Sequence, residues 1–105
     1  MKRWDATAQR FSADKMQKVG LFETPRFFLD LYCLEPGQQQ KPHAHAGSDK
    51  VYLVVEGRGS FRIGDVRHEL TQGEAVMAAS GEIHGIDNDG GGRLVVLTFM
   101  SPPPS

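Results

Sequence analysis

Two stretches decide how this chain is read: Gly37-Gln38-Gln39-Gln40-Lys41-Pro42-His43-Ala44-His45-Ala46-Gly47-Ser48-Asp49-Lys50, continuing to Gly57, and Gly73-Glu74-Ala75-Val76-Met77-Ala78-Ala79-Ser80-Gly81-Glu82-Ile83-His84, continuing to Asn88. The first begins at a turn, Glu35-Pro36-Gly37, and feeds the β-branched and aromatic run Lys50 to Val55. The second begins at Gln72-Gly73, runs through Ala75 to Ala79, turns at Ser80-Gly81-Glu82 and leaves a short extended piece at His84 to Asp87. Between them Ser60 to Ile63 alternates, with Phe61 and Ile63 on one face. Gly64-Asp65 then makes a tight hairpin into Val66 to Leu70. Outside the two stretches lie Phe27 to Leu34, the loop Asn88 to Gly92 and the apolar run Arg93 to Met100. This is a series of seven or eight short strands with turn signals about every 8–12 residues. It predicts an all-β single domain over 27–101, a sandwich or small barrel, and excludes a parallel α/β sheet.

Composition agrees. The chain has 105 residues, 39% of them hydrophobic and 24% charged, which suits one globular domain rather than a disordered or fibrous chain. Twelve Lys/Arg against 13 Asp/Glu leave no basic footprint for nucleic acid. A single cysteine, Cys33, rules out an intrachain disulfide and zinc sites built from paired cysteines. The basic start Met1-Lys2-Arg3-Trp4 is followed at once by Asp5, Thr7, Gln9 and Arg10 instead of an apolar signal-peptide core. No apolar run approaches the ~20 residues of a spanning helix. A cytoplasmic protein with no membrane partner is the expectation.

Residues 1–26 read differently from the rest, with six Lys/Arg against three Asp/Glu and one of the 12 glycines. Ser12 as an N-cap, Ala13 to Val19 as two helical turns and Gly20 as a stop predict a short helix. Residues 1–26 are therefore expected as a helical arm packed on the barrel or on a partner subunit. Pro102-Pro103-Pro104 cannot continue a ladder, so residues 102–105 are expected as an exposed tail.

The histidines carry the chemistry. His43 and His45 stand two apart, so on extended backbone both imidazoles leave from one face, an arrangement that presents two nitrogens to one cation. His84 follows a tight turn that could aim it inward, completing a three-histidine set. His68, between Arg67 and Glu69 on a hairpin strand, reads as an ordinary surface histidine.

The spacing around them is specific. Gly37, five residues, His43, one residue, His45, then Lys50, six residues, Gly57 resembles the first motif of the cupin superfamily. Gly73, five residues, Ala79, one residue, Gly81, two residues, His84, three residues, Asn88 resembles the second. The resemblance implies a double-stranded β-helix (jelly-roll) barrel with a divalent metal (Zn, Fe, Mn or Ni) near its centre, held by His43, His45 and His84. Two positions depart from the motifs: Ala79 replaces a usual proline, and Lys50 replaces the usual glutamate ligand.

An ammonium has no lone pair, so Lys50 cannot ligate while protonated. Three readings stand side by side. The metal is held by three histidines and water, with Lys50 turned away toward Asp49 or Glu74. Alternatively, Asp49 is the acidic ligand, or the ammonium itself replaces the metal and binds an anion. A site of three neutral histidines and a divalent ion is more positive than one containing a glutamate, so an anionic organic ligand is expected. If Lys50 faces inward, so do Tyr52 and Val54; Lys50 and Tyr52 are then the candidate catalytic, proton-transferring groups. Phe61, Met77 and Phe99 are candidate lining. The expectation is a metal-binding cupin that takes a small molecule; if it is an enzyme, isomerisation, decarboxylation and oxygenation are the reactions the resemblance offers. The alternative is a non-catalytic ligand-binding or sensory module. A homodimer is expected from the open sheet edges and the arm.

Overall fold

The computed structural model describes residue 3 and residues 5–104; the rest of the basic start and Ser105 lie outside the described residues. Among the described residues, nine strands follow a single 3-10 turn at Ala6–Ala8: β1 Gln17–Thr24, β2 Phe27–Leu34, β3 Gln39–His43, β4 Asp49–Glu56, β5 Arg58–Ile63, β6 Val66–Thr71, β7 Ala75–Ala78, β8 His84–Asp87 and β9 Leu94–Ser101. They form a five-stranded sheet, β1-β2-β9-β4-β7, and a four-stranded sheet, β3-β8-β5-β6. Every neighbouring pair is antiparallel.

The core lies between the sheets because the alternation of each strand puts its larger apolar side chains there. Tyr32, Leu34, Tyr52, Val54, Leu94 and Val96 come from the five-stranded sheet and meet Phe61, Ile63, Leu70 and Ile86 from the other. In β4 the buried set is Lys50, Tyr52 and Val54, as the alternation predicts, while Val51, Leu53 and Val55 are half-buried on the outer face. A smaller cluster of Leu31, Cys33 and Val95 forms on that outer face, where Ala8 and Phe11 cover it. The first part of the N-terminal segment therefore packs on its own sheet.

The helix expected over Ala13 to Val19 does not form. Ser12 Oγ accepts the Asp14 N–H at 3.2 Å, a local turn, and the chain then enters β1 as an edge strand with Lys18 opposite Tyr32 and Val19 opposite Leu31. Two isolated helical turns are weaker than a ladder along β2 that also buries Val19 and Leu21 against the outer cluster. The tail is also less exposed than expected. Pro103 is half-buried, and Ser48 Oγ donates to the Pro102 carbonyl at 2.7 Å.

Gly57, the last residue of the first motif, is fixed by sterics. Its φ is 82°, and a Cβ there would lie 2.2 Å from the Arg93 carbonyl oxygen. Gly57→Ala therefore combines a left-handed backbone with a backbone collision. It is expected to cost about 2–4 kcal/mol, measured as a fall in the urea midpoint at unchanged slope.

Candidate metal centre

His43 ends β3 and His84 begins β8, directly opposite one another in the ladder. Their rings stand 4.3 Å apart between centroids, and the His45 ring, two residues on, is 4.9 Å from His43 and 5.7 Å from His84. Close backbone packing sets this geometry. A Cβ on Gly85 would meet the Gln40 carbonyl at 2.9 Å and Pro42 N at 3.0 Å, so only glycine lets β8 lie this near the irregular stretch of β3. The loops beyond are tied together as well: Gly81 N–H donates to the His45 carbonyl at 3.0 Å, and Gly47 N–H to Ser80 Oγ at 2.7 Å.

One ring nitrogen from each histidine lies within 4.8 Å of the other two. That is close to the ~4 Å that two nitrogens on one cation can span. Two hydrogen bonds choose which nitrogens face inward. His43 Nδ1 donates to the Lys41 carbonyl at 2.8 Å and His84 Nδ1 to the Glu82 carbonyl at 3.0 Å, which leaves each Nε2 its lone pair. His84 is 2% exposed, yet its Nε2 has no hydrogen-bond partner. A buried, unpartnered acceptor costs free energy that a cation would recover. Burial holds the His84 imidazolium down at about 4, the nearby Lys50 adding to the effect, and burial also lowers His43 and His45. All three rings are neutral near pH 7 and suited to a divalent cation.

In front of the triad lies a cavity of about 350 Å³ whose lining includes His43, His45, Lys18, Asp30, Tyr32 and Lys50. Lys50 is not turned toward Asp49 or Glu74. It is 2% exposed and its Nζ lies 5.2 Å from the Tyr52 ring centre and 5.4 Å from that of Tyr32. Asp49 is on the other face, exposed, with Oδ1 accepting the Ser80 N–H at 3.0 Å, and stands outside the histidine group. Glu74 accepts the Thr71 N–H at 2.8 Å, and Glu35 pairs with Arg93 at 2.9 Å. Burial depresses the Lys50 ammonium to about 7, with Lys18 pushing the same way and Asp30 opposing.

Tyr52 is buried beside the triad, its ring 6.0 Å from that of His84, and its hydroxyl donates to Gln40 Oε1 at 2.5 Å. It does not line the cavity. Burial raises its ionisation far above the ordinary tyrosine value. Of the three expected lining residues, Phe61 is core, while Met77 is 57% and Phe99 38% exposed on the outer face. The neighbouring Met100 lines the cavity instead, since a one-residue step along a strand reverses the face.

Sequence reasoning missed Lys18, Asp30 and Tyr32. Lys18 Nζ lies 5.4 Å from the Tyr32 ring centre, so one aromatic ring serves two lysines. Asp30 was a signal available in the sequence, as the one charged residue of the run Phe27 to Leu34.

Comparison with known proteins agrees with this arrangement. The chain spans about half the length of the curated relatives it matches. One of these is the tetracenomycin polyketide synthase protein TcmJ of Streptomyces glaucescens, 32% identical over 75 residues, which is 71% of this chain and 50% of that protein. Among solved structures, TT1209 of Thermus thermophilus is 38% identical with a TM-score of 0.96, covering 99% of this chain and 100% of that one. An RmlC-like cupin of Desulfovibrio desulfuricans superposes with a TM-score of 0.87 at 24% identity, covering 98% of each chain. The family model for the cupin domain matches residues 30–100, β2 to β9 and both histidine stretches, and the chain belongs to the cupin family.

Proposed function

We propose that this cupin holds one divalent cation on His43, His45 and His84 and receives a small anionic organic molecule in the adjoining cavity. The observation that carries the reading is the buried, unpartnered Nε2 of His84, in a triad whose other contacts already fix the ring orientations. Of the four candidate metals, zinc, iron and nickel suit an all-imidazole donor set, whereas manganese favours oxygen ligands that the triad lacks. Bound there, the cation supplies a Lewis acid for a ligand oxygen.

The protein's own groups do the rest. Lys18 offers positive charge to the cavity, Lys50 an amine that titrates at about 7, and Asp30 and Glu23 oppose them. The cation would then make the cavity net positive, favouring a carboxylate or enolate ligand. Of the two expected proton-transfer groups, only Lys50 reaches the cavity; the Tyr52 hydroxyl is held by Gln40. That favours a second reading, ligand binding without turnover. Screening carboxylic and oxo acids for consumption against thermal stabilisation alone separates the two.

Elemental analysis tests the metal. After stripping and reconstitution, about one equivalent of divalent metal per chain is expected, and less than about a tenth would sink the proposal. Lys50→Glu places a carboxylate beside the triad and is expected to tighten metal binding by roughly tenfold, read by competition with a chromogenic chelator. Weaker binding in that variant would show that Lys50 does not face the cation.

A further inference from the structure

Lys50 is a buried lysine for which structural duty is hard to find. Among the described residues the ion pairs are Arg67–Asp87 and Arg93–Glu35, and Lys50 belongs to neither. Its stem crosses the core side of β4, and its amine ends at the cavity between the rings of Tyr32 and Tyr52. An unpaired cation in a core is destabilising, and an apolar residue would fill the same space more favourably.

The surroundings favour the neutral amine. Lys18 of β1 faces the same Tyr32 ring, putting a second cation near the first. Asp30 of β2 opposes this by attracting both lysines, though burial of Lys50 outweighs it. Glu23 of β1 lines the cavity too. Tyr32 and Tyr52 stay protonated, because burial raises both. Together these leave a fraction of Lys50 unprotonated near pH 7, a state that a solvated lysine reaches only near its ordinary value.

We propose that Lys50 is a carbonyl-capturing nucleophile that forms a reversible imine with small oxo acids entering the cavity, with Lys18 receiving their carboxylate. The Nζ lone pair attacks the carbonyl carbon and a C–N bond forms. One proton from the nitrogen passes to the oxygen as the C=O double bond opens, giving the carbinolamine. The second nitrogen proton then joins the hydroxyl as the C–O bond breaks, releasing one water and leaving the C=N bond of the imine. No oxidant or reductant is needed. The ligand class deepens the reading above, of an anionic organic molecule in this cavity. The chemistry does not depend on the cation, so metal binding and imine formation can fail separately.

The test uses the full chain, stripped of metal, with glyoxylate and sodium cyanoborohydride near pH 7, followed by digestion and mass mapping of each lysine. The reduced adduct is expected on Lys50 at tenfold or more the extent found on the exposed Lys15 and Lys41. Lys50→Met is expected to remove that adduct and leave the others unchanged. Lys18→Gln is expected to lower labelling of Lys50 several-fold. Labelling of Lys50 no greater than that of Lys15 and Lys41 would overturn the proposal. Equal labelling of Lys50 by glyoxylate and by propionaldehyde would overturn its oxo-acid part.

Discussion

Loading the metal-free protein with a divalent cation at about a thousandfold over its dissociation constant is expected to raise the melting temperature by roughly 15 °C, and His84→Ala to lose the whole of that rise. A ligand bound only to the folded state adds about 4 kcal/mol at that excess. In a domain of about 100 residues each kcal/mol moves the midpoint by roughly 4 °C. His84 is the residue to change because its Nε2 lone pair is buried with no other partner, and because its ring is held toward the triad by the Glu82 carbonyl. Removing a buried imidazole also leaves a cavity, so the metal-free variant should melt lower than the metal-free wild type. The comparison is therefore made within each protein, with and without metal. His68→Ala, on β6 and outside the triad, should keep the full rise. If His84→Ala kept it as well, the cation would be bound elsewhere.

A second large effect belongs to Lys50 in the metal-free protein. Unfolded, its ammonium titrates at the ordinary 10.5; folded, burial brings it to about 7. Between these values the unfolded chain binds the extra proton, so stability must rise with pH across that window, by at most ~1.4 kcal/mol per pH unit from this group. Below pH 7 both states are protonated and the full penalty of a buried charge is present. Lys50→Met is expected to flatten the rise between pH 7 and 9 and to stabilise the protein at pH 6 by on the order of 3 kcal/mol, after allowance for the lost attraction to the two tyrosine rings. The buried thiol of Cys33 and the buried tyrosines act oppositely, because their raised ionisation costs stability at higher pH. They are common to both proteins and cancel in the difference. Chemical denaturation at a series of pH values measures it, and parallel curves for the two proteins would place the Lys50 charge in water.

The part of this architecture legible in the sequence is the part written in local patterns. His43 and His45 two apart, the alternation Lys50, Tyr52, Val54, and turns such as Gly64-Asp65 read directly into strands and faces. For His84 the local signal is only the tight turn before it; the spacing of the second motif ties it to the pair, since no local rule says that β8 pairs with β3. β1 was misread because Ser12 followed by Asp14 and Lys15 satisfies local helix rules. What decides the matter is the partner strand β2 and the apolar cluster beneath Val19 and Leu21. Lys18, Asp30 and Tyr32 stayed hidden for a related reason. They come from adjacent strands and meet Lys50 of β4 only across the five-stranded sheet, with β9 between β2 and β4. Met77 and Phe99 read as apolar lining, but both stand opposite the outward-facing Val51, and that parity puts them on the outer face.

The two halves of the site belong to different sheets. His43 and His84 are carried by the four-stranded sheet, with His45 just beyond β3, while Lys18, Tyr32 and Lys50 are carried by the five-stranded one. A cation held by the histidines alone braces one layer. An organic anion touching both the cation and the lysines would bridge the layers and act as a removable crosspiece against their sliding. Hydrogen–deuterium exchange should register this as two successive tightenings, the metal slowing amides of β3 and β8 and the anion then slowing those of β2 and β4.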